Sequence, residues 1–222
     1  MTTTGKLVYE ETAEDWDDRF TSGSWSVAGG TYQSAQFMYT LLQMLEFPKA
    51  WSTVEKNPDT GLIDGFRARI HDYGCALGDG TALLQIRFPL AKVVGIDHSP
   101  KGIEEAKKRW PTVDFKVGDI CNPTEMADVI FTSHTLEHLK EPDRAVRKLM
   151  QYCGVLIAIF PPITKENNGN HDGAEPVEDW LRRLPPPVIK DRFLTIRKDV
   201  DSEFDDQFYI EQSIVCVWKT LI

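Results

Sequence analysis

The sequence predicts a doubly wound α/β fold, in which helices cover both faces of a mostly parallel β-sheet. First, short apolar runs alternate with helix-like segments between residues 68 and 160. Second, these runs are apolar nearly throughout, as expected of parallel strands that are buried on both faces. Third, 222 residues with 41% hydrophobic content suffice for one well-buried domain with extra length for a cap.

Residues 1–60 are predicted to form an N-terminal helical cap. A short polar helix is expected at residues 11–20, and an amphipathic helix with an apolar stripe at residues 34–46. A loop rich in small and aromatic residues separates them. Because proline and glycine punctuate the segment that follows, the cap is expected to end near Gly61, where the main domain, residues 61–222, begins.

The main domain is expected to alternate strands and helices and to end in an antiparallel pair. Strands are predicted at residues 68–73, 92–97, 113–117, 128–132 and 155–160. Helices are predicted at residues 80–87, 101–110 and 144–152. After Pro161 come a long polar loop, a helix at 177–184, and two β-like runs at 193–197 and 214–218. The last two runs predict an antiparallel hairpin that closes one edge of the sheet.

Charge and composition narrow the classes of partner. The net charge of -9 disfavours nucleic acid at long range. A local basic strip is interpreted as a solvated surface; it comprises Arg182, Arg183, Lys190 and Arg192. The first residues lack the pattern of a secretion signal, and no apolar run approaches a membrane span, so we expect a cytoplasmic protein without a membrane partner. The four cysteines contain no CxxC pair and predict neither disulfides nor structural zinc.

The segment DYGCALGDG, from Asp72 to Gly80, follows one strand directly and opens the next helix. Such an abrupt turn needs residues without bulk where a ligand approaches the backbone, and Gly74 and Gly78 meet this need. A plain tight turn is the alternative. Asp97 ends the second strand, and Asp119 ends the third, so two carboxylates at neighbouring strand ends predict a site that holds ribose hydroxyls.

A dinucleotide dehydrogenase would use the same turn and the same acidic residue. Its glycine fingerprint wants glycine or alanine where this chain has Asp79. A carboxylate at the helix N-terminus would face the pyrophosphate, which is the wrong charge. A cationic cofactor without phosphate is therefore favoured over a nicotinamide dinucleotide.

Four segments together resemble the successive motifs of class I S-adenosylmethionine-dependent methyltransferases. They are DYGCALGDGT, VVGIDHS, FKVGDI and DVIFTSHTLEHL, and the likeness covers residues 67–161. The resemblance implies a Rossmann-like fold, S-adenosyl-L-methionine as cofactor, and methyl transfer as the activity. The looser segment GGTYQSAQF resembles the lead-in helix of bacterial methyltransferases that act on sugars or other small polar metabolites.

The resemblance also implies roles for particular residues. The methionine end and ribose would contact Asp72, Gly74, Ala76 and Gly78. Asp97 would hold the ribose diol, and the adenine would contact His98, Asp119 and Ile120. Ser133 and His134 would close the pocket. The family usually has glycine at position 76, so the alanine is a departure. From the looser segment, Gln33 would lie near the cofactor and Tyr32 near the substrate, although the cap aromatics could simply pack onto the domain.

Methyl transfer needs alignment, exclusion of water and sometimes a base. His134 and His138, expected one helical turn apart, are the candidate catalytic residues, with Glu137 beside them. One alternative is that Glu137 and His138 only brace the chain. The other is a metal site, to which His171 would add a ligand, but our preferred interpretation has no metal.

His171 lies in the polar loop after the fifth strand and is a candidate substrate contact. We expect methylation of an oxygen or nitrogen on a small polar acceptor, for example a sugar or glycan terminus. Two alternatives stay open: an RNA 2′-O-methyltransferase with a divalent metal, and a non-catalytic regulator that binds S-adenosylmethionine.

Overall fold

The computed structural model describes residues 12–27, 30, 34, 68–161, 176–198 and 208–219. The predicted helix at residues 34–46, apart from Ser34, and the predicted domain border near Gly61 lie outside these residues. In the described part of the chain, no helix is long and apolar enough to cross a membrane.

The described strands form one seven-stranded sheet. They are β1 (Arg69–Tyr73), β2 (Lys92–Asp97), β3 (Asp114–Val117), β4 (Ala127–Ser133), β5 (Cys153–Phe160), β6 (Ile189–Lys198) and β7 (Phe208–Lys219). Their order is β3-β2-β1-β4-β5-β7-β6. β1 to β5 are parallel, whereas β7 runs antiparallel to both β5 and β6. The predicted doubly wound α/β fold and its antiparallel hairpin are confirmed.

The position of β7 differs from a simple closing hairpin. β7 lies between β5 and β6, so β6 forms the edge of the sheet. Its residues from Ile214 to Trp218 are buried without alternation. Such a run indicates that both faces of the sheet are covered at β7.

Helices flank the sheet on both faces. They are α3 (Asp79–Arg87), α4 (Pro100–Arg109), α5 (Pro142–Met150) and α6 (Val177–Leu181), with a 3-10 helix at Leu136–His138. α5 shows why such a segment is helical. Pro142 occupies its first turn, where the missing N–H costs nothing, and Ala145, Val146 and Leu149 form the buried face. α6 is shorter than the predicted helix at 177–184.

The core divides between the two faces of the sheet. Ile130 of β4 pairs in register with Leu156 of β5, and both belong to the cluster on one face. The next pair, Phe131 and Ile157, belongs to the cluster on the other face. Because successive side chains of a strand point in opposite directions, these central strands are apolar throughout.

Two short helices from the N-terminal segment are described, α1 (Ala13–Ser22) and α2 (Ser24–Val27). A reciprocal capping box starts α1, since Asp15 N–H donates to Thr12 Oγ1 (3.2 Å) and Thr12 N–H donates to Asp15 Oδ2 (2.8 Å). Gly23, with a φ of 78°, ends it. Trp16 and Phe20, four residues apart, are the buried residues of this otherwise polar helix.

Candidate active site

The turn between β1 and α3 is held in an unusual backbone conformation. The N–H groups of Gly74 and Cys75 both donate to the carbonyl of Ile96, at 2.8 and 3.2 Å. Gly74, Ala76 and Gly78 have positive φ values of 77°, 48° and 83°. The two glycines tolerate this conformation, whereas at Ala76 it carries strain of the kind that clusters at functional sites.

Two contacts explain why positions 74 and 78 need glycine. A Cβ at Gly74 would overlap the side chain of Thr135, and one at Gly78 would overlap the ring of Phe115. The turn is therefore packed against the end of β4 on one side and against β3 on the other. Close packing of this kind fixes where the backbone meets a ligand.

Asp97, the last residue of β2, supports this turn from the neighbouring strand. Its Oδ2 accepts from Ala76 N–H (2.9 Å), and its Oδ1 accepts from Ser99 N–H (3.0 Å). His98 Nδ1 lies 3.6 Å from Asp97 Oδ1. Burial raises the pKa of Asp97, although these donors oppose the rise. Asp97 is thus a structural brace as well as a candidate ligand for ribose.

Asp72 on β1 supplies a second buried carboxylate. The hydroxyl of Thr81 donates to its Oδ2 at 2.6 Å. Burial raises the pKa of Asp72 to about 6, and the nearby Asp97 adds to the effect against the opposing hydrogen bond from Thr81. A buried carboxylate held this way favours a cationic neighbour.

From its sequence position, the carboxylate of Asp79 was expected to face the ligand at the N-terminus of α3, but the structure places it elsewhere. It begins α3 but does not line the cleft, and its Oδ1 lies 3.5 Å from a guanidinium nitrogen of Arg109. The negative charge at the cleft therefore comes from Asp72 and Asp97. Because Asp79 lies outside the cleft lining and beside Arg109, we expect Asp72 and Asp97, rather than Asp79, to disfavour a pyrophosphate.

The end of β4 presents His134 in a strained conformation. Its φ is 50°, and its N–H donates to the carbonyl of Ile159 at 2.9 Å. Its Nδ1 lies 3.2 Å from Ser133 Oγ. The expectation that His134 and His138 lie one helical turn apart is wrong, because the helix there is a 3-10 turn that begins only at Leu136. Both histidines nevertheless line the same cleft.

Aromatic side chains from α1 and α2 form a roof over the cleft; we call Trp16, Phe20 and Trp25 the aromatic roof. Trp16 meets Trp25 edge-on at a ring-centroid separation of 5.6 Å and meets His138 edge-on at 5.3 Å. Trp25 and Phe20 are 5.7 Å apart. Sequence reasoning missed Trp16 and Phe20. Their spacing of four residues on a polar helix was the available signal.

The cleft has an empty volume of about 750 Å³, including its open mouth. It is lined by Trp16, Phe20, Trp25, Ser34, Asp72, Gly74, Cys75, Ala76, Gly80, Asp97, His98, Ser133, His134, Thr135 and His138. Eight of the predicted site residues are therefore brought together here. Three others, Gly78, Asp119 and Ile120, lie outside this lining, and Tyr32, Gln33 and His171 lie outside the described residues.

Asp119 caps a turn after β3. Its Oδ1 accepts from Cys121 N–H and its Oδ2 accepts from the side-chain amide of Asn122, both at 2.8 Å. Ile120 is buried next to it. Their contact with an adenine stays a prediction.

Two further features bear on the alternatives of a metal site and of a nucleic-acid partner. Within the described ranges, no group of three or more His, Cys, Asp or Glu could hold a metal ion. Three residues of the basic strip form ion pairs with acidic side chains. Its ion pairs are Arg182–Asp179 (3.6 Å), Arg183–Asp143 (2.7 Å) and Lys190–Glu178 (2.8 Å).

Comparison with known proteins finds a matching domain family and similar sequences. Residues 71–153 match the sequence profile of the methyltransferase domain family. Trans-aconitate 2-methyltransferase of Escherichia coli strain ATCC 8739 is 42% identical over 74 residues, which cover 32% of this chain and 29% of that protein. The Variovorax paradoxus enzyme of the same name is 35% identical over 104 residues, or 45% and 40% of the two chains. This chain thus covers well under half of these relatives.

Solved structures agree on the fold. Magnesium protoporphyrin IX methyltransferase from Synechocystis PCC 6803, with bound SAH, is similar with a TM-score of 0.53 and 15% identity, over 86% of this chain and 84% of that one. A Thermoplasma acidophilum protein gives a TM-score of 0.54 at 14% identity, over 95% and 98%. The sheet order is Rossmann-like, and residues 71–153, which match the methyltransferase domain family, are similar to the class I S-adenosylmethionine-dependent methyltransferases.

Proposed function

We propose that this chain binds S-adenosylmethionine in the cleft and transfers the methyl group to an oxygen or nitrogen of a small polar acceptor. The observation that carries the proposal is the meeting of two buried carboxylates, Asp72 and Asp97, beside a turn with left-handed backbone conformations. Both belong to the segment that matches the methyltransferase profile.

The residues present suit this cofactor. The raised pKa of Asp72 reflects a buried carboxylate whose described hydrogen-bond partner, Thr81, is neutral, so a cationic ligand would favour its ionised form. Gly74 exposes backbone at the cleft without a side chain in the way.

When bound, S-adenosylmethionine supplies a methyl group on a positively charged sulfur that is already an activated leaving group. Asp72 and Asp97 would hold its positively charged and ribose parts. The aromatic roof lines part of the cleft and would limit the access of water to the bound cofactor, which would strengthen electrostatic interactions there. His134 would accept the proton of the acceptor oxygen or nitrogen, because it lines the cleft at the end of β4. One backbone hydrogen bond, to Ile159, and one side-chain contact, with Ser133, hold it there.

The charge of the cleft favours a neutral or amine-bearing acceptor. Among its described lining residues are two aspartates and three histidines, and none is lysine or arginine. A polycarboxylate such as trans-aconitate would find no permanent cation among them, so we infer an acceptor chemistry different from that named for the curated relatives. The polar sequence around His171 supports a hydroxyl-bearing acceptor, for example a sugar or glycan terminus, and Tyr32 and His171 are its proposed contacts.

The test combines a binding and a turnover measurement on the purified chain. Calorimetric titration with S-adenosylmethionine should show saturable binding, and S-adenosylhomocysteine release should appear with a hydroxyl or amine compound in a panel. The panel includes trans-aconitate and an RNA 3′ end, the latter with and without a divalent ion. Turnover on trans-aconitate alone would refute the acceptor class, binding without turnover on the panel would indicate a regulator, and absence of binding would refute the proposal.

A further inference from the structure

Helix α1 is fastened to the N-terminus of helix α4 by one carboxylate. Lys101 N–H donates to Asp17 Oδ1 at 3.0 Å, and the hydroxyl of Ser99 donates to the same oxygen. More than eighty residues of chain separate Asp17 from these partners. The contact is therefore a tertiary connection between the N-terminal segment and the main domain.

Ser99 continues this connection to the cofactor side of the cleft. It is fully buried, its Oγ accepts from Gly102 N–H (2.9 Å), and its own N–H donates to Asp97 Oδ1 (3.0 Å). A serine hydroxyl has a single hydrogen to donate, and here it is directed at Asp17. Asp17 and Asp97 are thus linked through one ordered residue.

Close packing accompanies these hydrogen bonds. A Cβ placed on Gly102 would lie 2.7 Å from Cδ2 of the Phe20 ring, nearer than real Cβ atoms approach. Phe20 is buried in a cluster with Trp16, Ala76 and Leu77. α1 therefore rests directly on α4 while its aromatic side chains cover the cleft.

We propose that Asp17 is a positioning residue that holds α1, and with it the aromatic roof, in place before the cofactor binds. This inference rests on the proposed function, because the roof matters only if the cleft takes the cofactor. A carboxylate at a helix N-terminus satisfies N–H groups that have no partner within the helix and interacts favourably with the helix dipole. Without it, α1 would have to be ordered during binding, and that ordering lowers affinity.

The test uses three variants on the full chain. Asp17→Ala removes both hydrogen bonds, whereas Asp17→Asn keeps an oxygen that can accept them. Asp18→Ala is the matched control, because Asp18 is an exposed aspartate on the same helix. We expect Asp17→Ala to raise the Kd for S-adenosylhomocysteine roughly ten-fold, which is about 1.4 kcal/mol. Asp17→Asn should recover most of this loss, and Asp18→Ala should bind like the parent.

Hydrogen exchange without ligand gives a second readout. Asp17→Ala should speed exchange in residues 13–22 and leave protection in β1 and β4 unchanged, which global destabilisation would not do. Equal Kd and equal exchange in the Asp17→Ala and Asp18→Ala variants would overturn the inference.

Two further results keep the inference testable. If Asp17→Ala does not fold, Gly102→Ala replaces it: alanine is the better helix former, yet its Cβ meets the Phe20 ring, so weaker binding is expected and unchanged binding would overturn the inference. If the parent chain does not bind S-adenosylhomocysteine, the proposed function fails, while the exchange comparison still decides whether Asp17 holds α1.

Discussion

Asp72→Asn is predicted to stabilise the ligand-free protein near neutral pH and to weaken cofactor binding. The folded-state pKa of Asp72 is raised by burial from 3.8 to about 6. A carboxyl whose pKa is higher in the folded state contributes stability that is complete below about pH 4 and lost as the pH rises through about 6. The difference between these two pKa values corresponds to about 3 kcal/mol in the free energy of unfolding. Asparagine keeps the shape and an acceptor for Thr81 but carries no charge.

Urea unfolding at about pH 4 and about pH 7.5 measures this effect. The free energy of unfolding of the variant should exceed that of the parent by up to about 3 kcal/mol at the higher pH, and by little at the lower pH. Asp114→Asn, which alters an exposed aspartate, is the control for net charge. Calorimetry should show that the parent loses affinity for S-adenosylmethionine as the pH falls below about 6, whereas the variant binds weakly at both pH values. A variant less stable than the parent at about pH 7.5, or an equal gain at both pH values, would refute the reasoning.

Four other substitutions test the site. Asp97→Ala should abolish most cofactor binding and also lower the Tm, because its carboxylate accepts from two backbone N–H groups and such bonds contribute about 1.5–3 kcal/mol each; an unchanged affinity in calorimetry would contradict its assignment. Gly78→Ala should lower the urea midpoint, since a φ of 83° and the Phe115 ring both oppose a side chain, and an unaltered midpoint would argue against the turn geometry. His134→Ala should slow S-adenosylhomocysteine release about 10²- to 10⁴-fold with nearly unchanged cofactor affinity, and His138→Ala should slow it less; the reverse order would make His138 the base.

Most of the architecture between residues 68 and 161 could be predicted from the sequence. β2 (Lys92–Asp97) was predicted with its observed limits, and the other strands there differ by one or two residues. Long apolar runs indicate the strand positions clearly, because a parallel strand is buried on both faces. The hairpin was also predicted, but the insertion of β7 beside β5 was not. Strand order depends on which surfaces meet, and periodicity along the chain does not contain that information.

The site was predicted in part. Motif spacing predicted that Asp72, Gly74 and Asp97 lie close together, since strand ends and a tight turn are local features, and all three line the cleft. Their contact with a cofactor stays a prediction. Sequence reasoning did not foresee that Asp97 also braces the turn or that Asp79 pairs with Arg109. Neither partner is near in sequence, so only the folded chain could reveal these contacts.

By itself, the sequence determined the succession of strands and helices along the chain, the glycine turn and the acidic strand ends, because each depends on residues within a few positions of one another. The tertiary structure alone decided that Trp16 and Phe20 cover the cleft and that Asp17 ties α1 to α4. These contacts join segments that are separated by more than fifty residues of chain. They form because folding brings an amphipathic helix and a distant helix terminus together, and their energies depend on that geometry.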